Sequence, residues 1–155
     1  MKLVTHTFLT LDGVMQGPGG AEEDPSGGFG RGGWLVPFSD ADMGAIAESW
    51  FARTEAILFG RRTYESMRAY WRQVTDPANG VAAKLNHGRK YVASNTLTSA
   101  DWGDTTVLRG DVIGQVADLK KGGRGELQVH GSARRAAPEP AARVPAPAAH
   151  PGRRS

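Results

Sequence analysis

Five short apolar runs separated by helix-length stretches constrain this chain more than any other feature. Leu3 to Leu9, Glu55 to Phe59, Lys90 to Ser94, Thr105 to Leu108 and Glu126 to His130 are rich in β-branched, aromatic and aliphatic side chains. They are continuous more than alternating, the pattern of strands covered on both faces. Between them lie helical patterns. Ser39 can cap a helix from Asp40 to Ala52, in which Met43, Ile46, Ala47, Trp50 and Phe51 recur at spacings of three and four. Further helices are predicted from Arg62 to Tyr70, from Asn79 to His87, and from Val112 to Leu119 with Asp111 as cap and Gly122-Gly123 as stop. Strands alternating with helices predict an α/β fold with a mostly parallel sheet.

Two segments break this rhythm. Gln16 to Gly33 is glycine-rich and acidic, and longer than an ordinary connection. It reads either as a lid that closes over a pocket or as a solvated loop without chemistry. From Ala133 to Ser155, 18 of 23 residues are Ala, Pro or Arg, and five of the nine prolines of the chain fall there. Repeated prolines exclude a sheet strand or a long helix, so this stretch is predicted to be disordered. The division is therefore a domain over 1–132 and a tail over 133–155, and 155 residues suit one domain.

The tail also accounts for the charge. The net charge of +3 arises from 19 basic and 16 acidic residues, and removing the five arginines and one glutamate of the tail leaves 14 and 15. A near-neutral body argues against a nucleic-acid partner. No apolar run approaches the roughly 20 residues that span a bilayer, so no membrane partner is expected. The N-terminal Met1-Lys2-Leu3-Val4-Thr5-His6 is interrupted by polar residues too soon for a signal peptide. Cysteine is absent, which excludes disulfides and thiolate chemistry and fits a cytoplasmic protein.

Three glycine- or hydroxyl-rich turns follow predicted strands. Gly60-Arg61-Arg62-Thr63 ends a buried run and opens a helix. Free N–H groups and the positive helix end make that turn an anion site, to which the arginines add charge-assisted contacts. An ordinary turn with solvated arginines fits the same residues. Gly131-Ser132, after the fifth run, lets a ligand approach the backbone and offers a hydroxyl. Ser94-Asn95-Thr96, after the third, reads as a site for the 2′-phosphate of an NADP-type cofactor or as a capping cluster. All three lie at carboxyl ends of predicted parallel strands, where open α/β sheets bind ligands. Asp12-Gly13 follows the first strand, so Asp12 is a candidate catalytic group as well as a turn residue. Gly28-Phe29-Gly30-Arg31-Gly32-Gly33 has the spacing of a dinucleotide fingerprint, but it follows no strand and opens no helix. His6, His87, His130 and His150 match no metal-binding spacing, and no metal site is expected. His6 is expected to face the sheet interior or a helix.

Several of these motifs, in this order, resemble the dihydrofolate-reductase-like family. They are Thr7-Phe8-Leu9-Thr10-Leu11-Asp12-Gly13-Val14-Met15-Gln16, Asp24-Pro25-Ser26-Gly27-Gly28, Gly60-Arg61-Arg62-Thr63-Tyr64-Glu65, Tyr70-Trp71, Lys84-Leu85-Asn86, Lys90-Tyr91-Val92-Ala93-Ser94 and Leu127-Gln128-Val129-His130-Gly131-Ser132. The branch they resemble most is the C-terminal reductase domain of the bifunctional riboflavin-biosynthesis deaminase/reductase, and the resemblance covers about residues 1 to 133. It implies an NADPH-binding α/β fold that transfers hydride to a C=N or C=O group of a pterin-like or ribosyl-pyrimidine small molecule. It places Gly60, Arg61, Arg62 and Thr63 on cofactor phosphate, and Ser94 and Asn95 near the 2′-phosphate. Gly131 and Ser132 fall on the pyrophosphate, and Thr7, Asp12, Gly13 and Val14 beside the nicotinamide. For the full-length family it leaves a homodimer open.

Two departures qualify the resemblance. The acidic residue with which folate-reducing members bind the pterin falls near Gly44 here, so folate itself is not the expected substrate. After the His-Gly-Ser motif the family continues with a helix and further strands, which Ala133 to Ser155 cannot form. A shifted reading frame in a GC-rich gene would yield such a tail; a natural extension on a shortened domain is the alternative. The reading is therefore an NADPH-dependent reductase whose C-terminal strands are missing. A nucleotide-binding module without turnover, or an inactive truncated reductase, stands beside it.

Overall fold

A computed structural model describes residues 1–131 of the chain. Among them, five strands and four helices form one sheet with helices on both faces. The elements are β1 (Lys2–His6), α1 (Ala41–Ala52), β2 (Thr54–Gly60), α2 (Arg61–Trp71), α3 (Gly80–His87), β3 (Arg89–Ala93), β4 (Thr105–Leu108), α4 (Val112–Lys121) and β5 (Glu126–His130). The sheet order is β1-β5-β2-β3-β4, and every pairing is parallel. Ser132 and the predicted tail over 133–155 lie outside the described residues.

Alternation along the strands divides the core in two. Ile57, Phe59 and Val92 point to the face covered by α1, α2 and α3, where they meet Phe51, Tyr64, Leu85 and Trp102. Ala56, Tyr91, Leu108 and Leu127 point to the other face, beneath Val112, Val116 and Leu119 of α4. Several buried polar groups here are bonded, as burial favours, while His6 Nε2 and Arg68 Nε have no partner among the described residues. The N–H of Trp102 donates to Tyr64 Oη at 3.1 Å, and its indole N–H donates to Asn86 Oδ1 at 2.8 Å. Lys90 is fully buried, and its Nζ donates to the carbonyls of Leu85 at 2.9 Å and Gly88 at 2.7 Å. Burial pushes its pKa down to about 8, so the ammonium stays charged at neutral pH and closes the end of α3.

The first strand departs from its sequence reading in two ways. It ends at His6, not Leu9, because its partner β5 ends at His130. A turn then closes, with Gly13 N–H donating to Thr10 O and Thr10 N–H to Val14 O, both at 2.9 Å. Nor is β1 covered on both faces, since it forms an edge of the sheet and Leu3 remains 41% exposed. The first helix is capped by Asp40, whose Oδ1 accepts from Met43 N–H at 2.8 Å, and not by Ser39. Asp40 already has the extended backbone of a cap, one residue later than the sequence pattern indicated.

Candidate nucleotide site

The carboxyl ends of all five strands lie along one edge of the sheet, because every pairing is parallel. Neighbouring strands are about 4.8 Å apart, so this edge is roughly 19 Å long. The sheet order sets the sequence of groups along it. Thr7 and the turn of Asp12, Gly13 and Val14 follow β1, Gly131 follows β5, Gly60 to Thr63 follow β2, and Ser94 to Thr96 follow β3.

Of the helices that follow a strand at this edge, α2 differs from α4 in how its first turn is closed. Asp40, Asn79 and Asp111 each cap a helix by accepting an N–H bond of the first turn, at 2.8, 2.9 and 2.9 Å. α2 has Gly60 at its cap position and therefore no side-chain cap. Its first-turn N–H groups are thus available to an anion at the positive end of the helix. Gly131 faces this turn. It adopts φ +68, and a Cβ built on it would meet Thr63 Cγ2 at 3.2 Å and Oγ1 at 3.5 Å. Glycine therefore lets the β5 turn approach the Thr63 side chain closely. An uncapped helix end beside such a glycine turn suits a pyrophosphate.

The two arginines separate. Arg61 donates from Nη1 to Thr96 Oγ1 at 2.8 Å and pairs through Nε with Glu65 at 2.8 Å, which binds the start of α2 to the turn after β3. Arg62 is exposed and lies toward the Gln16–Gly33 loop. There Asp24 is held below the usual carboxylate range by the Ser26 hydroxyl, and to a lesser extent by Arg62. The loop is closed on itself. Gln16 Nε2 donates to the carbonyls of Asp24 and Ser26 at 2.9 Å, Trp34 Nε1 donates to Gln16 O at 2.9 Å, and Gly33 N–H to Gly17 O at 2.7 Å.

Ser94 and Asn95 have internal partners. Ser94 Oγ accepts from the N–H groups of Thr96 at 3.2 Å and Leu97 at 3.0 Å. Asn95 Oδ1 accepts from Gly110 N–H at 3.0 Å. Both readings of this cluster thus bear on one turn, which Ser94 shapes and which presents Thr96 beside Arg61. At the other end of the edge, Asp12 is exposed, and the Thr10 hydroxyl holds its carboxyl below the usual range. At neutral pH it is an anion that accepts hydrogen bonds and has no proton to give.

A wall of rings, not anticipated as a unit from sequence, lies between β1, β5 and α1. His6 stacks on Trp50 at 4.5 Å and on His130 at 5.2 Å, and His130 stacks on Phe51 at 4.8 Å. Burial is the main cause that lowers the pKa of both histidines, that of His130 to about 4, so they pack as neutral rings. Residues 6 and 130 share a register position, which became visible only once β1 and β5 were paired. Gly44, near which the resemblance puts the folate-binding acid, is exposed with open space beside it, and the neighbouring Asp40 is committed to its cap. Two cavities of about 410 and 440 Å³ lie elsewhere, one beside Asn86 and Trp102 and one under α4, and neither includes the groups along this edge.

The chain matches the family of the RibD C-terminal domain over residues 1–137. It belongs to that family. The RibD C-terminal domain described here is also similar to the crystal structure of a candidate riboflavin biosynthesis protein from Shewanella sp. PV-4. The TM-score is 0.56 and the identity 21%, and the match covers 84% of this chain and 65% of that one. At this identity the likeness concerns the fold, a dihydrofolate-reductase-like α/β sheet flanked by helices. This RibD C-terminal domain therefore spans less than two thirds of the length of that relative. No curated protein matches the chain. Among the described residues, no helix is long and apolar enough to cross a membrane.

Proposed function

We propose that residues 1–132 form a domain that binds NADPH along the carboxyl edge of the sheet and reduces a small heterocycle in the cytoplasm. The substrate class is that of 5-amino-6-(5-phosphoribosylamino)uracil in riboflavin biosynthesis. The observation that carries this reading is the uncapped start of α2 facing Gly131, within a chain of the RibD C-terminal family. Gly60, Arg61, Arg62 and Thr63 would hold phosphate at the start of α2, with Gly131 opposite. Thr96, beside Arg61 and shaped by Ser94 and Asn95, would lie at the 2′-phosphate. Thr7, Gly13 and Val14 would border the nicotinamide, next to the ring wall of His6 and Trp50. When bound, NADPH supplies the hydride; the chain orients the reacting groups and limits water.

The ionised state of Asp12 favours a second reading, a nucleotide-binding module without turnover. Calorimetric titration with NADPH and NADH, beside steady-state NADPH oxidation with the ribosylamino-pyrimidine, tests both. Tighter binding of NADPH together with oxidation supports the reductase. Binding without oxidation supports the module, and equal affinities for the two dinucleotides remove the 2′-phosphate site.

A further inference from the structure

Parallel pairing fixes which backbone groups of β1 face β5 and which face away. Lys2 N–H donates to Gly125 O at 2.9 Å, and His6 O accepts from Gly131 N–H at 3.5 Å. Successive residues of a strand turn their backbone groups to opposite sides. Lys2, Val4 and His6 therefore serve β5, and the N–H and C=O groups of Leu3 and Thr5 point out of the sheet. Among the described residues nothing pairs with them, since β1 ends the sheet. Sheet edges are commonly blunted by proline, by a bulge or by several charges. β1 has no proline, pairs without a register shift, and carries Lys2 as its one charged residue besides the histidine. The other edge strand, β4, is one residue shorter and has no exposed large hydrophobic side chain.

An apolar shelf adjoins the open strand on the face covered by α1. His6 stacks on Trp50 at 4.5 Å, and Phe8 lies 6.0 Å from the same ring. Ile46, one turn before Trp50 on α1, continues the shelf and is exposed. Leu3 adds exposed apolar surface on the opposite face, where its register partner Leu127 packs under α4. Leu3, Phe8, Leu9, Val36, Phe38 and Ile46 together expose apolar surface on the order of 500 Å². With the strand's own backbone, this approaches the roughly 800 Å² per partner that a standard interface buries.

We infer that β1 pairs antiparallel with β1 of a second copy of this chain, about a two-fold axis perpendicular to the sheet at Val4, and joins two five-stranded sheets into one of ten strands. This register sets Leu3 opposite Thr5 of the second copy. Both turn their backbone groups outward, so each such pair exchanges two hydrogen bonds, and symmetry makes four. Lys2 falls opposite His6 of the second copy, and because burial lowers the His6 pKa, no like charges meet there at neutral pH. The axis keeps like faces together, so the two α1 helices lie on one face and the Phe8, Ile46 and Trp50 shelves flank the new strand pair. A parallel pair would turn the two shelves to opposite faces and leave each uncovered. This inference does not depend on the nucleotide reading above.

Sedimentation equilibrium of the full chain is expected to show a mass that doubles with concentration and stops at two copies. The chain has no cysteine, so single introduced cysteines report the register. Val4→Cys stands opposite its own copy with Cα atoms about 4.5 Å apart, within reach of a disulfide, and should cross-link on air oxidation. Lys2→Cys stands about 14 Å from its copy and should not. Thr5→Pro removes an outward N–H and spares the bonds to β5, so it should weaken the dimer about tenfold or more. Ile46→Lys should weaken it in the same direction without touching the strand. The inference is overturned by a chain that stays monomeric, by a mass that climbs past two copies without a plateau, or by Lys2→Cys linking as readily as Val4→Cys. A dimer that neither Thr5→Pro nor Ile46→Lys weakens overturns it as well. Thermal melts identify variants that fold, and Ile46→Lys with the two cysteine variants carries the test if Thr5→Pro does not.

Discussion

His130 ends β5 with its ring between those of Phe51 and His6, and its Nε2 lies 3.1 Å from Gln128 Oε1. Burial first, and His6 second, push its pKa down from 6.5 to about 4. Between these values the unfolded chain binds a proton that the folded chain does not, so stability falls as pH drops through this window. At about pH 4.5 the loss from this one group is about 2–3 kcal/mol. Thermal melts of the chain and of His130→Gln, at about pH 7 and pH 4.5, are expected to show the smaller decline in the variant; equal declines would place the acid sensitivity elsewhere. Gly131, the next residue, is under a different constraint. An alanine there meets Thr63 at 3.2 Å in a left-handed conformation, which costs about 1–2 kcal/mol. Gly131→Ala should therefore lower the melting temperature and weaken NADPH binding, and unchanged NADPH affinity would remove Gly131 from the phosphate cradle.

At the level of elements, the proposed function and local stability diverge at α2. Three helices secure their first turns with Asp40, Asn79 and Asp111, and α2 leaves its own open where a phosphate would lie. The Gln16–Gly33 loop shows the opposite economy, since one carboxamide secures two distant carbonyls, of Asp24 and Ser26. Its length and glycines predict mobility in the absence of ligand, yet its bonds give it a closed shape. Gln16→Ala removes both bonds while leaving the sheet intact. Amide exchange from Gly17 to Leu35 should then accelerate about tenfold, the factor for roughly 1–1.5 kcal/mol of lost bonding, with little change in global melting. Unchanged exchange would mean that Trp34 and the backbone bonds hold the loop alone.

At the scale of the molecule, apolar exposure among the described residues is concentrated at one end. Of the nine exposed large hydrophobic residues there, Leu3, Phe8, Leu9, Leu11, Val36, Phe38 and Ile46 belong to β1, α1 and the chain between them, and Tyr70 and Ile113 lie elsewhere. The same end carries the unpaired outer side of β1 among the described residues. An open edge beside apolar side chains promotes association. Light scattering is expected to show mass rising with protein concentration, and Leu9→Lys with Leu11→Lys to suppress that rise. A chain that remains monomeric at all concentrations would show that this edge is not adhesive.

The amino-acid sequence by itself determined the kind and order of elements. Alternating strand and helix patterns, and Asp and Asn at helix starts, are local signals that one segment expresses without its neighbours. Asn79 and Asp111 cap the helices predicted from them, and Gly60-Arg61-Arg62-Thr63 marks a strand-to-helix turn. The end of β1 was not legible, because Thr7 to Leu9 have strand-like side chains but no partner once β5 stops at His130. Only the tertiary structure decided which turns meet. The placement of β5 between β1 and β2 sets Gly131 against Thr63 and brings His6 beside His130. Arg109 follows β4 with no motif around it, and it reaches the Asn95–Leu97 turn because β3 and β4 are neighbours. Strand order is a long-range property, set by how two helical layers cover one sheet, and no local run of residues encodes it.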